Sequence, residues 1–143
     1  FTFSNVISAN DNATLILLTS TNGGSSYDSG GGDYYFQYFG YRSGALGHES
    51  STGTTSIFVA PYQGTASGEV GGMSGHMFIY GPHITQHTRA LGQTFFYNSS
   101  GDIANFIIGG ARKSNADVDA AQFKYNSGNI SSGTINLYGF KNA

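Results

Sequence analysis

Short runs of aromatic and β-branched residues recur about every ten positions along this chain, each closed by a cluster of Gly, Asn, Asp or Ser. Nowhere does an apolar period of 3.6 persist long enough to build a helix. Thr94-Phe95-Phe96-Tyr97, the turn Asn98-Ser99-Ser100-Gly101-Asp102 and the run Ile103 to Ile108 read as a hairpin. Phe1 to Ser8 alternates as a first strand, and Thr14 to Ser20 is a continuous apolar run expected to be buried on both faces. Tyr34 to Tyr41 carries rings on both faces, and Thr55 to Ala60 is a strand stopped by Pro61. His76 to Tyr80, His83 to Ala90, Val118 to Tyr125 and Thr134 to Phe140 complete the strands. In the last, Ile135 and Leu137 share one face, and its partner must lie far back in sequence. Asn22 to Asp33 reads as a long flexible surface loop, Ser43 to Thr54 as a glycine-rich connection, Gln63 to Gly75 as a bulged strand or a surface loop, and Gly109 to Asp117 as a polar excursion. About nine or ten short strands of this kind predict an all-β fold, an antiparallel β-sandwich of jelly-roll-like form. Residues 1–143 are expected to make one such domain.

Composition narrows the function classes. Charged residues make up only 10% of the chain, against about 25% in an ordinary globular domain. Little electrostatic protection from association remains on such a surface, which suits a protein covered by neighbours. Six Lys and Arg residues and a net charge of −2 argue against a nucleic-acid groove, which needs a clustered basic footprint. The absence of cysteine excludes disulfides and thiolate metal sites. The longest aliphatic run is Leu15-Ile16-Leu17-Leu18, far short of the roughly 20 residues of a membrane helix, so no membrane insertion is expected. The chain opens within a strand pattern at Phe1-Thr2-Phe3, as a trimmed N-terminus would.

Motifs for chemistry are near misses. Gly72-Met73-Ser74-Gly75-His76 puts His76 where a nucleophile elbow has its last glycine, and a strand follows where the elbow needs a helix. His48-Glu49 lacks the second histidine of a zincin. His83 and His87, placed on a strand, are separated by about 13 Å, too far to share a metal. Asp28, Asp33, Asp117 and Asp119 offer hard oxygens to calcium, although aspartates in polar loops are mostly just solvated. No catalytic residue, metal site or cofactor is expected. A glycan hydrolase, which needs two carboxylates about 5–9 Å apart, stays open as an alternative.

The tyrosines carry the binding expectations. Tyr27, Tyr62, Tyr80 and Tyr97 lie beside loops or strand ends, where a ring with a polar handle can stack on a sugar or anchor a protein contact. That is the basis of a lectin-like, carbohydrate-binding alternative. Tyr34, Phe36 and Tyr38 are candidates for an oligomer interface. So are His83, His87 and Arg89, which around a symmetry axis would make assembly pH-sensitive.

The two ends add a resemblance. The opening Phe1-Thr2-Phe3-Ser4-Asn5-Val6 and the close Ser127-Gly128-Asn129-Ile130-Ser131-Ser132-Gly133-Thr134-Ile135-Asn136-Leu137-Tyr138-Gly139-Phe140-Lys141 resemble small β-sandwich proteins of tailed bacteriophages, often marine ones. The resemblance implies a virion surface protein, a tail or head fibre or a capsid decoration protein, assembled in the host cytoplasm. It further implies a homotrimer whose partners are other virion proteins or a host surface glycan or receptor, reached through the loops Asn22 to Asp33, Gln63 to Gly75 and Gly109 to Asp117. A terminal Tyr-Gly strand marks a fold, so it assigns no binding residue.

Overall fold

The computed structural model describes residues 1–65 and 72–140. Ten strands run through them: β1 (Thr2–Ser8), β2 (Ala13–Ser20), β3 (Tyr34–Arg42), β4 (Ala45–Thr54) and β5 (Ile57–Gln63). β6 (Met73–Tyr80), β7 (Arg89–Tyr97), β8 (Ile103–Arg112), β9 (Ala120–Tyr125) and β10 (Ile130–Asn136) follow. Seven strands form one antiparallel sheet in the order β10-β1-β6-β7-β8-β3-β4, and β5-β2-β9 forms the second. The pairs β1–β10, β2–β9 and β3–β8 are nested, as in a jelly roll. The split into seven and three strands is uneven, because β6 and β7 lie in the larger sheet between β1 and β8.

Alternation decides which side chains face the second sheet. On β3, Tyr34, Phe36 and Tyr38 are buried while Tyr35, Gln37 and Phe39 are exposed. Val6, Met73, Met77, Phe96, Phe106 and Ile108 pack from the large sheet against Leu15, Leu17, Ile57 and Val59 of the small one. Burying each such side chain stabilises the fold by about 1.5–3 kcal/mol. The apolar run of β2 is the centre of the small sheet and is buried along its whole length, as its sequence predicts.

Polar atoms tie the sheets where the core is not purely apolar. Gln63, only 1% exposed, donates from Nε2 to the Val6 carbonyl at 2.9 Å. Tyr125 donates to Gln63 Oε1 and lies 3.2 Å from the same Val6 oxygen. Thr94 Oγ1 donates to the Val59 carbonyl at 2.9 Å. Tyr34 accepts from the Thr19 amide at 2.9 Å and donates to the Asp28 carbonyl at 3.0 Å. Satisfied in this way, buried polar groups cost little and hold one register.

Several segments depart from the sequence reading. Residues 45–54 form β4, paired with β3 from Arg42↔Ala45 to Tyr34↔Thr54. The connecting Ser43 and Gly44 both have left-handed φ, 56° and 73°, the geometry of a tight two-residue hairpin. As an edge strand, β4 tolerates polar residues and glycine. Pro61 does not end β5: the strand continues to Gln63 on the sheet edge, with an irregular register between Ala13↔Gln63 and Leu15↔Ala60. On an edge the missing proline N–H leaves no ladder bond broken. The stretch expected as a strand from His83 instead turns, with the Ile84 amide reaching the Gly81 carbonyl at 3.4 Å, and the strand begins at Arg89.

β8 extends to Arg112, through residues read as loop, because it is paired on both sides by β3 and β7. Gly110 suits that position: a Cβ there would meet Ile57 Cγ2 at 2.7 Å. The loop after β2 is tied down by Asp28 N to Thr19 O at 3.0 Å and Gly23 N to Asp119 Oδ2 at 2.9 Å. β10 pairs with β1, Phe3 opposite Ile135, so the two stretches that carry the resemblance are neighbours in space. The strand stops at Asn136 rather than Phe140, and Leu137 is exposed. In the connection Gln63 to Gly75, residues 66–71 lie outside the described residues.

Candidate functional site

Two surfaces stand out, and the larger is the outer face of the seven-stranded sheet. Strand pairing arranges its side chains in rows. Phe39, Ile107, Gln93 and His76 form one row across β3, β8, β7 and β6, and Tyr41, Asn105, Phe95 and Ser74 form the next. On the other side lie Gln37, Gly109, Leu91 and Phe78, then Tyr35, Ala111, Arg89 and Tyr80. Leu46 of β4 stands opposite Tyr41. Phe39 is 52% exposed and Tyr41 63%, and Phe95, Leu91 and Ile107 are exposed as well.

At ordinary strand spacings these rows span about 500 Å². Their apolar and aromatic members, nine of the sixteen positions, make up a little over half of it, near the low end of the roughly 300–600 Å² seen for the largest apolar patch on a monomer. Phe140, beyond β10, adds its ring beside Phe78 at 6.1 Å. Arg89 is the one full charge in the four rows. The polar members pair among themselves, Gln93 Nε2 donating to Asn105 Oδ1 at 3.0 Å. Lys113 lies over the Tyr35 ring at 4.8 Å along one rim.

The second surface is a cleft of about 300 Å³ at one end of the sandwich. Asn12 enters from the β1–β2 turn, Arg42 and Ser43 from the β3–β4 turn, Tyr62 from β5, and residues 98–100 from the β7–β8 turn. The Arg42 guanidinium sits over the Tyr62 ring at 5.7 Å. Asn12, Ser43 and Tyr62 have φ of 55°, 56° and 59°. Their turns are bonded to one another: Ser99 Oγ donates to Asn12 Oδ1 at 3.1 Å, the Ser99 amide to the Tyr62 carbonyl at 3.0 Å, and Ser43 Oγ to Asp102.

The interface residues expected on β3 are corrected by their own periodicity. Tyr34, Phe36 and Tyr38 face the core, so their side chains are unavailable to a partner, and Tyr35, Phe39 and Tyr41 present the outward rings. Burial pushes the Tyr38 hydroxyl above its usual range, helped by Glu49, whose carboxylate accepts its proton at 2.9 Å. His83 and His87 are exposed in the turn before β7, outside the outward rows, so strand spacing does not govern their separation. Arg89 does lie on the outer face, opposite Tyr80.

The four binding tyrosines do not converge. Tyr80 belongs to the outer face, Tyr27 is half-buried against the core beside the β2–β3 loop, and Tyr62 lines the cleft at the opposite end. Tyr97, half-buried, ends β7 on that same side, its carbonyl accepting from the Gly64 amide at 2.9 Å. The three loops expected to meet a receptor together also divide. The β2–β3 and β8–β9 connections share one end, joined by Lys113 N to Asp33 O at 2.8 Å, whereas β5 runs out at the other. Of the aspartates, Asp28 is engaged by Arg112, Asp33 Oδ2 by the Gly30 amide at 2.6 Å, and Asp119 by Gly23. Among the described residues no three His, Asp or Glu side chains gather to hold a metal.

Tyr62 and the turn Asn98 to Asp102 were legible in the sequence, but the cleft was not, because three turns and the end of β5, distant in sequence, build it. Compared with known protein families, curated proteins and solved structures, the chain matches none.

Proposed function

We propose that this protein is a non-enzymatic structural component of a virion surface, of the fibre or capsid-decoration kind, which assembles as a homotrimer through the outer face of its seven-stranded sheet. The observation that carries the reading is the exposed aromatic and aliphatic residues spread across β6, β7, β8 and β3, interleaved with uncharged polar ones and with Arg89 the single full charge of the four rows. Another copy of the chain is the partner this face fits. In a threefold ring an almost uncharged surface lies against the neighbouring copies without like-charge repulsion and offers few handles to a charged partner. The four rows span about 500 Å², against about 800 Å² on each side of a standard interface. The resemblance of the paired terminal strands to phage β-sandwich proteins supplies the virion setting and the threefold symmetry.

Sedimentation equilibrium tests the assembly. The expected species has three times the 15.1 kDa of the chain, and Phe39→Asp combined with Ile107→Asp returns it to a folded monomer. A wild-type protein that stays monomeric at high concentration overturns the assembly reading, and a dimer overturns its threefold form. Antibody labelling of phage particles tests the setting, with label on the capsid or tail expected and its absence from both counting against it.

A further inference from the structure

The outer face leaves the cleft at the Tyr62 end unused. The geometry points to this cleft as a binding site for a carboxylated sugar, with the acid group on the Arg42 guanidinium and ring hydroxyls on the amides of Asn98 and Asn12.

The Arg42 side chain makes no ion pair or hydrogen bond with any described residue, and its guanidinium lies over the Tyr62 ring at 5.7 Å. A free guanidinium matches a carboxylate through two parallel hydrogen bonds. Asn98 is 3% exposed. Its carbonyl oxygen accepts from the Ser100 and Asp102 amides at 2.9 and 3.0 Å, while no described residue accepts from its NH₂ group. That NH₂ group keeps contact with solvent and is not a buried donor left without a partner; the residue lines the cleft, where a ligand acceptor can take the place of water. Asn12 has its oxygen engaged by Ser99 and presents its own NH₂ beside it. Arg42 and the two NH₂ groups give the cleft open donors, with the Asp102 carboxylate, accepting from Ser43, at its edge, so the complementary ligand offers acceptors and places its negative charge on Arg42.

Size and backbone agree. About 300 Å³ is the low end of the range for small-molecule sites, the scale of one sugar unit. Three of the four non-glycine residues with left-handed φ among those described line this one cleft. For Asn and Ser that conformation is mild, but for Tyr62 it is a true outlier, and such outliers collect at ligand sites. The Thr14 hydroxyl accepts from the Tyr62 amide at 3.2 Å and helps to hold it there. Tyr62 is therefore a positioning residue for Arg42, a different part from the sugar-stacking platform its sequence position suggested. The inference is independent of the assembly reading, since Arg42 belongs to the opposite alternation set of β3 from Phe39.

The test is calorimetry and saturation-transfer NMR on the whole chain with methyl glucuronide and methyl galacturonide. Methyl glucoside, methyl galactoside and acetate serve as comparisons. Uronide binding is expected to exceed binding of the neutral glycosides by about tenfold or more, the effect of one charge-assisted contact. Arg42→Ala and Arg42→Lys should each lose about that factor, Tyr62→Ala should weaken binding, and Tyr62→Phe should keep it. Arg42 is exposed, so its variants are expected to melt like the wild type, and Arg42→Lys gives the answer if Arg42→Ala does not fold. The inference fails if no uronide binds at millimolar concentration, if Arg42→Lys binds it unchanged, or if acetate binds as well as the uronides.

Discussion

Arg112, at the end of β8, donates from Nε to the Asp28 carboxylate at 2.7 Å, across 84 residues of sequence. The arginine is almost wholly buried, while the Asp28 side chain keeps 34% of its exposure. The same arginine's backbone amide reaches the Thr88 carbonyl at 2.9 Å. Arg112 thereby ties the β2–β3 loop to the large sheet through its side chain and the turn before β7 through its backbone.

Asp28→Asn preserves the shape of the pair and strands the buried guanidinium. We expect a loss of about 1–3 kcal/mol in urea unfolding, below the full cost of breaking a buried pair because Asp28 is partly solvated. Arg112→Met alone should also destabilise. The double variant should recover at least about 1 kcal/mol relative to the sum of the singles, since no charge is then left unpaired. Additive single effects would show that the two residues do not interact.

Phe36 and Phe39 sit three positions apart on one strand and should answer truncation differently. Phe36 is 4% exposed and stacks on Phe58 at 4.4 Å, so Phe36→Ala should cost about 3–5 kcal/mol. Phe39→Ala should leave monomer stability within about 0.5 kcal/mol and weaken self-association. Denaturant melts of the dilute protein, paired with sedimentation at high concentration, separate the two. A Phe39→Ala protein that unfolds as readily as Phe36→Ala would place both rings in the core.

Alkaline pH should destabilise the fold through its buried tyrosines. Burial pushes Tyr125 above its usual value, against a hydrogen bond to Gln63 that pulls it down, and burial likewise raises Tyr38 and Tyr34. The native state therefore keeps these protons after the unfolded chain, with tyrosine pKa near 10, has released its own. Stability is fully present below about pH 10 and declines as pH rises above it, by up to about 1.4 kcal/mol per pH unit for each group. Tyr125→Phe should flatten the decline by one group's share while costing about 1–2 kcal/mol at neutral pH. Urea midpoints followed from pH 8 upward measure both, and a slope identical in Tyr125→Phe would remove Tyr125 from the account.

Much of the architecture was legible in sequence because strands announce themselves locally. The Thr94–Tyr97 and Ile103–Ile108 hairpin, the doubly buried β2 and the distant partner of the last strand all followed from period, turn residues and apolar runs. Elements defined by their neighbours were misread. Residues 45–54 look like a connection, and are a strand because β3 offers them a full ladder. Residues 83–88 look like a strand, and are a turn because the chain bends at Gly81 before β7 begins.

By itself the sequence settled that this chain is all β, and that alternate residues of each strand stand on opposite faces, since both follow from local backbone geometry. Which set of β3 rings faces inward was decided only in three dimensions, because alternation names two faces without saying which one a second sheet will cover. The cleft at Tyr62 belongs entirely to the tertiary structure. Its residues come from turns up to 88 positions apart in numbering, from Asn12 to Ser100, and only the closing of one sheet on the other brings them together.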